Sequence, residues 1–118
     1  MAAAGRERPP IDWDSLTFSF TETDRMFVAN GSWEDGWSEG RMVDFQPLNL
    51  SPAACVLNYG QGLFEGMKAR RTPDGRITLF RPEMNARRAA EGARRLVMPE
   101  VSESMFIKAV KKLSLIHI

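Results

Sequence analysis

The segment "NYGQGLFEGMKARR", residues 58–71, is rich in glycine, and glycine-rich loops let a backbone approach a phosphate closely. Gly60, Gly62 and Gly66 form G-x-G-x-x-x-G, which misses the dinucleotide-binding fingerprint by one residue. That fingerprint needs a strand before the glycines and a helix after them, so that the pyrophosphate meets the helix N-terminus. Here a helix-like segment comes first and a strand with a hairpin turn follows. The order of elements therefore argues against a nucleotide-binding loop.

A strand predicted over residues 63–70 would give the glycine segment two faces. Alternation separates Leu63, Glu65, Met67 and Ala69 from Phe64, Gly66, Lys68 and Arg70. A glycine inside a strand often marks close approach by a ligand or another backbone. The face with Gly66 is therefore the candidate ligand face, and the alternative is a bulge or a crowded packing point. Lys68 lies on the same face, where a lysine is usually solvated.

The elements around this segment predict an α+β fold, with antiparallel strands followed by two helices. Before it, strands are predicted at residues 16–20, 26–29 and 41–45, with a hairpin turn at Asn30-Gly31. Ser51 is expected to cap a short helix over residues 53–57. After it, the strand at 63–70 pairs with one at 76–80 through the turn at residues 72–75.

Two helices are predicted in the C-terminal third of the chain. Pro82 opens the first, whose apolar stripe runs to about Val97, and Pro99 ends it. Ser102 is the predicted N-cap of the second. Its apolar stripe consists of Phe106, Ala109, Val110 and Leu113.

Composition excludes several classes of protein. The chain has 118 residues, 43% of them hydrophobic, and a formal net charge of +1, so no basic field suggests nucleic acid. No apolar run approaches the roughly 18 residues of a membrane span. The single cysteine, Cys55, and the single histidine, His117, form neither a disulfide framework nor a zinc site. A reducing compartment, the cytoplasm, is the simplest expectation, with plastid or mitochondrion as alternatives for a full-length protein.

The stretch "LNYGQGLFEGMKA", followed by "DGRITLFRPEMNARRAAEGARRLVMP", resembles the small N-terminal domain of branched-chain amino acid aminotransferases. These are fold-type-IV enzymes that use pyridoxal 5'-phosphate. The resemblance runs from about residue 12 to about residue 113. It implies a flexible arm at residues 1–12 and a small domain at residues 13–118, truncated before a large catalytic domain.

The resemblance also implies roles for four residues. Tyr59 and Phe64 match positions that line the substrate side-chain pocket, and Gly66 matches a position where the backbone lies close to substrate and cofactor. Arg88 matches the arginine that holds the cofactor phosphate. Without the resemblance, Tyr59 and Phe64 are more typical of core aromatics. Helical periodicity alone does not distinguish Arg88 from Arg87.

The activity implied is transfer of the amino group of leucine, isoleucine or valine to 2-oxoglutarate by a homodimer. The family's catalytic lysine, which forms a Schiff base with the cofactor, lies in the large domain. None of the chain's lysines matches it, so these residues alone are expected to be inactive; the lysines are Lys68, Lys108, Lys111 and Lys112. Arg70 stands where an aromatic residue is usual, which leaves the substrate preference open. The alternative function is a non-catalytic α+β interaction or regulatory domain.

Overall fold

The computed structural model describes residues 10–117, so most of the predicted arm at residues 1–12 lies outside the described part. The elements, in chain order, are β1 (Arg25–Val28), β2 (Gly31–Ser32), β3 (Gly36–Trp37), β4 (Arg41–Asp44), α1 (Cys55–Asn58), β5 (Ala69–Arg71), β6 (Ile77–Leu79), α2 (Pro82–Arg95) and α3 (Glu103–His117). The strands pair antiparallel as β1 with β4, β2 with β3 and β5 with β6. The predicted α+β class is confirmed, with one short helix among the strands.

The first hairpin is folded differently from its prediction. β1 pairs with β4, and Arg25 lies opposite Asp44. Asn30-Gly31 is not the turn, because Gly31 belongs to β2 and pairs with Trp37. The left-handed backbone falls instead on Gly36, with φ 69°. The turn at residues 33–35 is stabilised by the Ser32 hydroxyl, which accepts the Asp35 N–H at 2.9 Å.

The strand predicted at residues 16–20 is wrong. These residues have no regular structure apart from a bend at residues 18–19, and Phe18 and Phe20 are exposed. Local hydrogen bonds replace strand pairing, because the Thr17 hydroxyl contacts that of Ser19 at 2.7 Å and accepts the Ser19 N–H at 3.2 Å. The Phe20 ring contacts that of Phe45, with centroids 5.8 Å apart.

The second hairpin confirms the predicted turn but has shorter strands. The Thr72 N–H donates to the Arg76 carbonyl at 2.8 Å, and Gly75 takes the left-handed conformation with φ 82°. The first strand begins at Ala69 rather than at residue 63, because its partner has only three residues and Ala69 already pairs with Leu79. Residues 63–68 therefore lie outside the paired strand, where the Gly66 carbonyl accepts a hydrogen bond from the Asn85 side chain.

α1 begins two residues later than predicted. The Ser51 hydroxyl accepts the Ala53 N–H at 3.2 Å, in a turn that precedes the helix. Ala54 occupies the N-cap position, without a side-chain hydrogen bond. Ser51 therefore stabilises the approach to the helix and not its first turn.

α2 begins at Pro82 as predicted and ends at Arg95, ahead of Pro99. Its end is set by Val97, whose backbone is left-handed with φ 54°. The Met98 N–H then donates to the Ala93 carbonyl at 2.8 Å, as in a Schellman motif. The predicted cap of α3 is confirmed, because the Ser102 hydroxyl accepts the Met105 N–H at 3.2 Å.

The helices provide the most buried part of the described structure. Ala86 and Ala93 of α2 are 2% and 5% exposed, and α3 packs against α2 and β1. Beside them lies an open apolar groove of about 910 Å³, whose lining includes Leu63, Met67, Ala89, Phe106, Val110 and Leu113. Within residues 10–117, no helix is long and apolar enough to cross a membrane.

We expect Val97→Gly to raise the free energy of unfolding by about 0.5–1 kcal/mol, measured by urea denaturation. A β-branched residue is strained at positive φ, and Val97 is 71% exposed, so little packing is lost. Leu96→Gly is the matched control, because Leu96 has φ −92° and its replacement relieves no strain. A Val97→Gly variant less stable than wild type would show that the strain is absent.

Candidate functional site

A bidentate ion pair between Glu65 and Arg88 forms the centre of the candidate site. The Arg88 Nε lies 2.6 Å from Glu65 Oε1, and Nη2 lies 2.5 Å from Oε2. The side chain of Glu65 is 9% exposed, whereas that of Arg88 is 68% exposed. The carboxylate is thus the buried anchor of the pair, and the guanidinium is its solvent-facing part.

Asn85 fixes the carboxylate from the same face of α2. It lies three residues before Arg88, a spacing that places both side chains on one helix face. Its Nδ2 donates to Glu65 Oε2 at 2.8 Å and to the Gly66 carbonyl at 3.1 Å. Asn85 and Arg88 therefore hold both the carboxylate and the backbone of residues 65–66.

The other end of the glycine segment is attached to the C-terminal end of α2. The Gln61 side-chain amide donates to the Leu96 carbonyl at 2.8 Å. A Cβ placed on Gly92 would be 3.4 Å from Leu63 Cδ2, so the segment lies against the helix between these two attachments. Residues 61–66 are thus held along α2 by side-chain hydrogen bonds rather than by a strand partner.

The ion pair shifts the pKa of both partners in the direction that keeps them charged. The hydrogen bond from Arg88 lowers the pKa of Glu65, burial acts in the opposite direction, and the Asn85 hydrogen bond lowers it further. Glu65 in turn raises the pKa of Arg88, mainly through the same hydrogen bond. The pair is therefore ionised at neutral pH.

Arg88 keeps hydrogen-bonding capacity for a ligand. Glu65 uses the Nε hydrogen and one Nη2 hydrogen, which leaves both Nη1 hydrogens and the second Nη2 hydrogen. Three donors on one planar cation suit the oxygens of a phosphate. The neighbouring Arg87 faces a different partner, Glu103 of α3, with Nε 3.4 Å from Oε2.

Gly66 is explained neither by a turn nor by crowding. It precedes β5, so it is not a bulge in a paired strand, and it is not among the glycines with positive φ. Among the described residues other than Gly66 and its two chain neighbours, no heavy atom lies within 4 Å of where its Cβ would be. The alternative of a bulge or a crowded packing point is therefore wrong, and open space adjoins Gly66 beside the groove.

Tyr59 and Phe64 are surface residues, 84% and 92% exposed. The interpretation as core aromatics is therefore wrong. Tyr59 directly follows α1, and its N–H donates to the Cys55 carbonyl at 2.8 Å. Within the described part of the chain, neither a hydrogen bond nor a cation–π contact joins Tyr59 or Phe64 to Arg88. The roles predicted for these two residues stay predictions.

Glu65 and Asn85 are the site residues that the sequence reasoning did not identify. The two predicted faces are recovered in the burial only in part: Glu65, Met67 and Ala69 are half-buried and Phe64 and Gly66 are exposed, but Leu63, predicted on the face of Glu65, is exposed as well. A carboxylate on the more buried face needs a cationic partner, because an unpaired buried charge is costly. That signal was present in the sequence, although it does not say which arginine is the partner.

The first two glycines of the pattern, Gly60 and Gly62, serve a turn and tight packing. Gly60 has φ 63°, and its carbonyl accepts the Gly62 N–H at 2.8 Å. A Cβ on Gly62 would lie 3.0 Å from Val56 Cγ2. Helix α1 comes before these glycines and β5 after them, which confirms the order predicted from the sequence.

We expect Glu65→Gln to lower the free energy of unfolding at pH 7. We also expect the variant's free energy of unfolding to change less with pH in the acid range than that of wild type. The folded-state pKa of Glu65 is lowered, so the unfolded chain binds the proton more readily than the folded chain does. The free energy of unfolding therefore decreases as the pH is lowered. The contribution of the pair is complete above the unfolded pKa of about 4.3 and is lost as pH falls through the folded value. Urea denaturation between about pH 5 and pH 3 measures the two slopes.

Glu91→Gln is the matched control, because it removes a carboxylate from an exposed pair with Arg95, at 3.3 Å, on the same helix. Equal slopes for wild type and Glu65→Gln would mean that the Glu65–Arg88 pair does not couple to folding.

Comparison with known proteins connects this geometry to a family. No protein-family model matches the chain. The chain is 48% identical over 105 residues to methionine aminotransferase BCAT4 of Arabidopsis thaliana, covering 89% of this chain and 30% of that protein. It is 50% identical over 105 residues to branched-chain amino acid aminotransferase 2, chloroplastic, of Humulus lupulus, covering 89% and 26%.

A bacterial relative shows the same relationship. The chain is 44% identical over 103 residues to the branched-chain-amino-acid aminotransferase of Haemophilus influenzae, covering 86% of this chain and 29% of that protein. The chain thus spans less than a third of the length of these relatives. The resemblance found in the sequence is confirmed: over most of its length, the chain is homologous to branched-chain amino acid aminotransferases.

Proposed function

We propose that the chain is the small-domain portion of a branched-chain amino acid aminotransferase that uses pyridoxal 5'-phosphate. The reaction is transfer of the amino group of leucine, isoleucine or valine to 2-oxoglutarate. Homology over 89% of the chain supports this proposal. The structural observation that carries it is the exposed guanidinium of Arg88, anchored on one side by Glu65 and with donors left on the other.

The described residues fit the phosphate end of this cofactor. Arg88 offers a fixed cation with donors to spare, and the space beside Gly66 allows a ligand to approach the backbone. When bound, pyridoxal phosphate supplies the electron sink for chemistry at the amino acid α-carbon. The part played by Arg88 is to bind the phosphate and to orient the cofactor through it.

Substrate recognition is assigned to the exposed aromatic residues. Tyr59 and Phe64 provide apolar surfaces of the kind that line pockets for hydrophobic side chains. Their exposure also suits a pocket completed by further protein, including the second subunit of a homodimer. Closure of such a pocket over a branched aliphatic side chain would exclude water from the reacting groups.

Proton transfer at the substrate α-carbon is not assigned to any residue of this chain. None of its four lysines matches the family's catalytic lysine, and Lys68 is exposed. We propose that these residues alone bind and orient without turnover. A compartment is not assigned, since the relatives include chloroplastic and mitochondrial proteins and the cytoplasm remains a prediction.

A second candidate is a non-catalytic interaction domain derived from the same family. It is favoured by the number of exposed aromatic side chains, which include Phe18, Phe64 and Phe80 at 110%, 92% and 86% exposure. Such a domain would use these side chains on a partner and would need no cofactor.

A chimeric enzyme tests the proposal. The segment of the Haemophilus influenzae enzyme that matches this chain is replaced by the corresponding residues of the chain. We expect the chimera to transfer the amino group of leucine to 2-oxoglutarate, while the 118-residue chain alone does not. Within the chimera, Arg88→Ala should weaken cofactor binding by about tenfold to hundredfold, because a charge-assisted contact is lost. Excess cofactor should restore much of the activity.

Arg87→Ala is the matched control, because its ion pair with Glu103 connects α2 to α3 and leaves Arg88 untouched. Loss of cofactor in Arg87→Ala but not in Arg88→Ala would place the phosphate on the other arginine. Retention in both variants would mean that the phosphate is held elsewhere. A folded chimera that binds the cofactor without transferring the amino group would contradict the proposed activity.

A further inference from the structure

We infer that Glu65 is a positioning residue for phosphate recognition: it holds Arg88 in the orientation that a phosphate ligand requires. This inference rests on the proposed function, because it takes Arg88 as the phosphate-binding residue. It adds a second residue to the site and assigns to Glu65 a task that is distinct from packing.

Arg88 needs such a partner because of its surroundings. Its side chain is 68% exposed on the surface of α2 and has several rotatable bonds, so without a contact it would sample many rotamers. The bidentate contact with Glu65 fixes both the position and the plane of the guanidinium. A ligand that meets an already ordered guanidinium loses less conformational entropy on binding.

Glu65 is itself held firmly enough to act as the reference point. Its side chain is 9% exposed, and Asn85 donates to the same Oε2 that accepts from Arg88. Asn85 also binds the Gly66 carbonyl at 3.1 Å, so the carboxylate is fixed relative to the backbone beside the open space. A series of hydrogen bonds therefore connects that space to the guanidinium, and it runs from Gly66 through Asn85 and Glu65 to Arg88.

A carboxylate beside a phosphate site also has an opposing effect. Its negative charge repels an incoming anion, so removal of the charge alone would strengthen phosphate binding. Positioning predicts that Glu65→Gln weakens phosphate binding, whereas repulsion predicts that it strengthens phosphate binding. The direction of the measured change decides between the two.

The test compares pyridoxamine 5'-phosphate with pyridoxamine, which lacks the phosphate, as ligands of the 118-residue chain. Neither probe has an aldehyde that would label lysines. Their dissociation constants are measured by nuclear magnetic resonance titration. The dissociation constant of pyridoxamine divided by that of pyridoxamine 5'-phosphate is the ratio that reports phosphate recognition alone. A general loss of structure weakens both probes, whereas a loss of positioning lowers the ratio.

We expect wild type to prefer the phosphorylated probe by about twofold to fivefold, as for a solvent-exposed ion pair. Arg88→Ala should bring the ratio to about one, and Arg87→Ala should leave it unchanged. Glu65→Gln should lower the ratio toward that of Arg88→Ala. If Glu65→Gln does not fold, Asn85→Ala replaces it, with a smaller decrease expected because only one contact to the carboxylate is removed.

The outcomes separate the two hypotheses. An unchanged or higher ratio in Glu65→Gln, with a lowered ratio in Arg88→Ala, overturns the positioning role and leaves the phosphate role of Arg88 intact. A ratio of one in wild type contradicts the phosphate role assigned to Arg88 under the proposed function. A ratio that Arg88→Ala leaves unchanged contradicts it as well. A parallel decrease in Glu65→Gln and Arg88→Ala supports both.

Discussion

The buried carboxylate of Glu65 is the constraint on which the site depends. Burying a carboxylate is unfavourable unless a cation and further donors compensate it. Arg88 supplies the cation and Asn85 a further donor, and both come from one face of α2. The requirement therefore fixes residues 65–66 against that helix, without the help of a paired strand. Because the anchor is buried and the guanidinium is not, the same pair leaves a cation open to solvent.

The open groove gives the site its second property. Apolar side chains of the glycine segment and of α3 face a space of about 910 Å³, including Leu63, Phe106 and Val110. Only Ala86 and Ala93 are buried hydrophobic residues in the described structure. Small residues let α2 approach its neighbours closely, while larger side chains remain half-covered.

The sequence predicted best where local chemistry decides the structure. Pro82, Ser102 and the turn at Gly75 took their predicted roles because capping and turn geometry act over a few residues. It failed at residues 16–20, where alternation exists but no partner strand does. It also missed the Glu65–Arg88 pair, which joins residues 23 positions apart through tertiary packing. Periodicity gives the face of Glu65 but not the residue that meets it.

A double-mutant cycle on Glu65 and Arg88 tests the central claim most directly. The free energies of unfolding of wild type, Glu65→Gln, Arg88→Ala and the double variant give the coupling between the two side chains. The exposed Glu91–Arg95 pair on α2 is the reference, with a coupling of about 0.3–0.5 kcal/mol expected for its i,i+4 spacing. We predict a coupling for Glu65 and Arg88 clearly above that reference, because the carboxylate is buried and bidentate. A coupling no larger than that of the exposed pair would contradict the account.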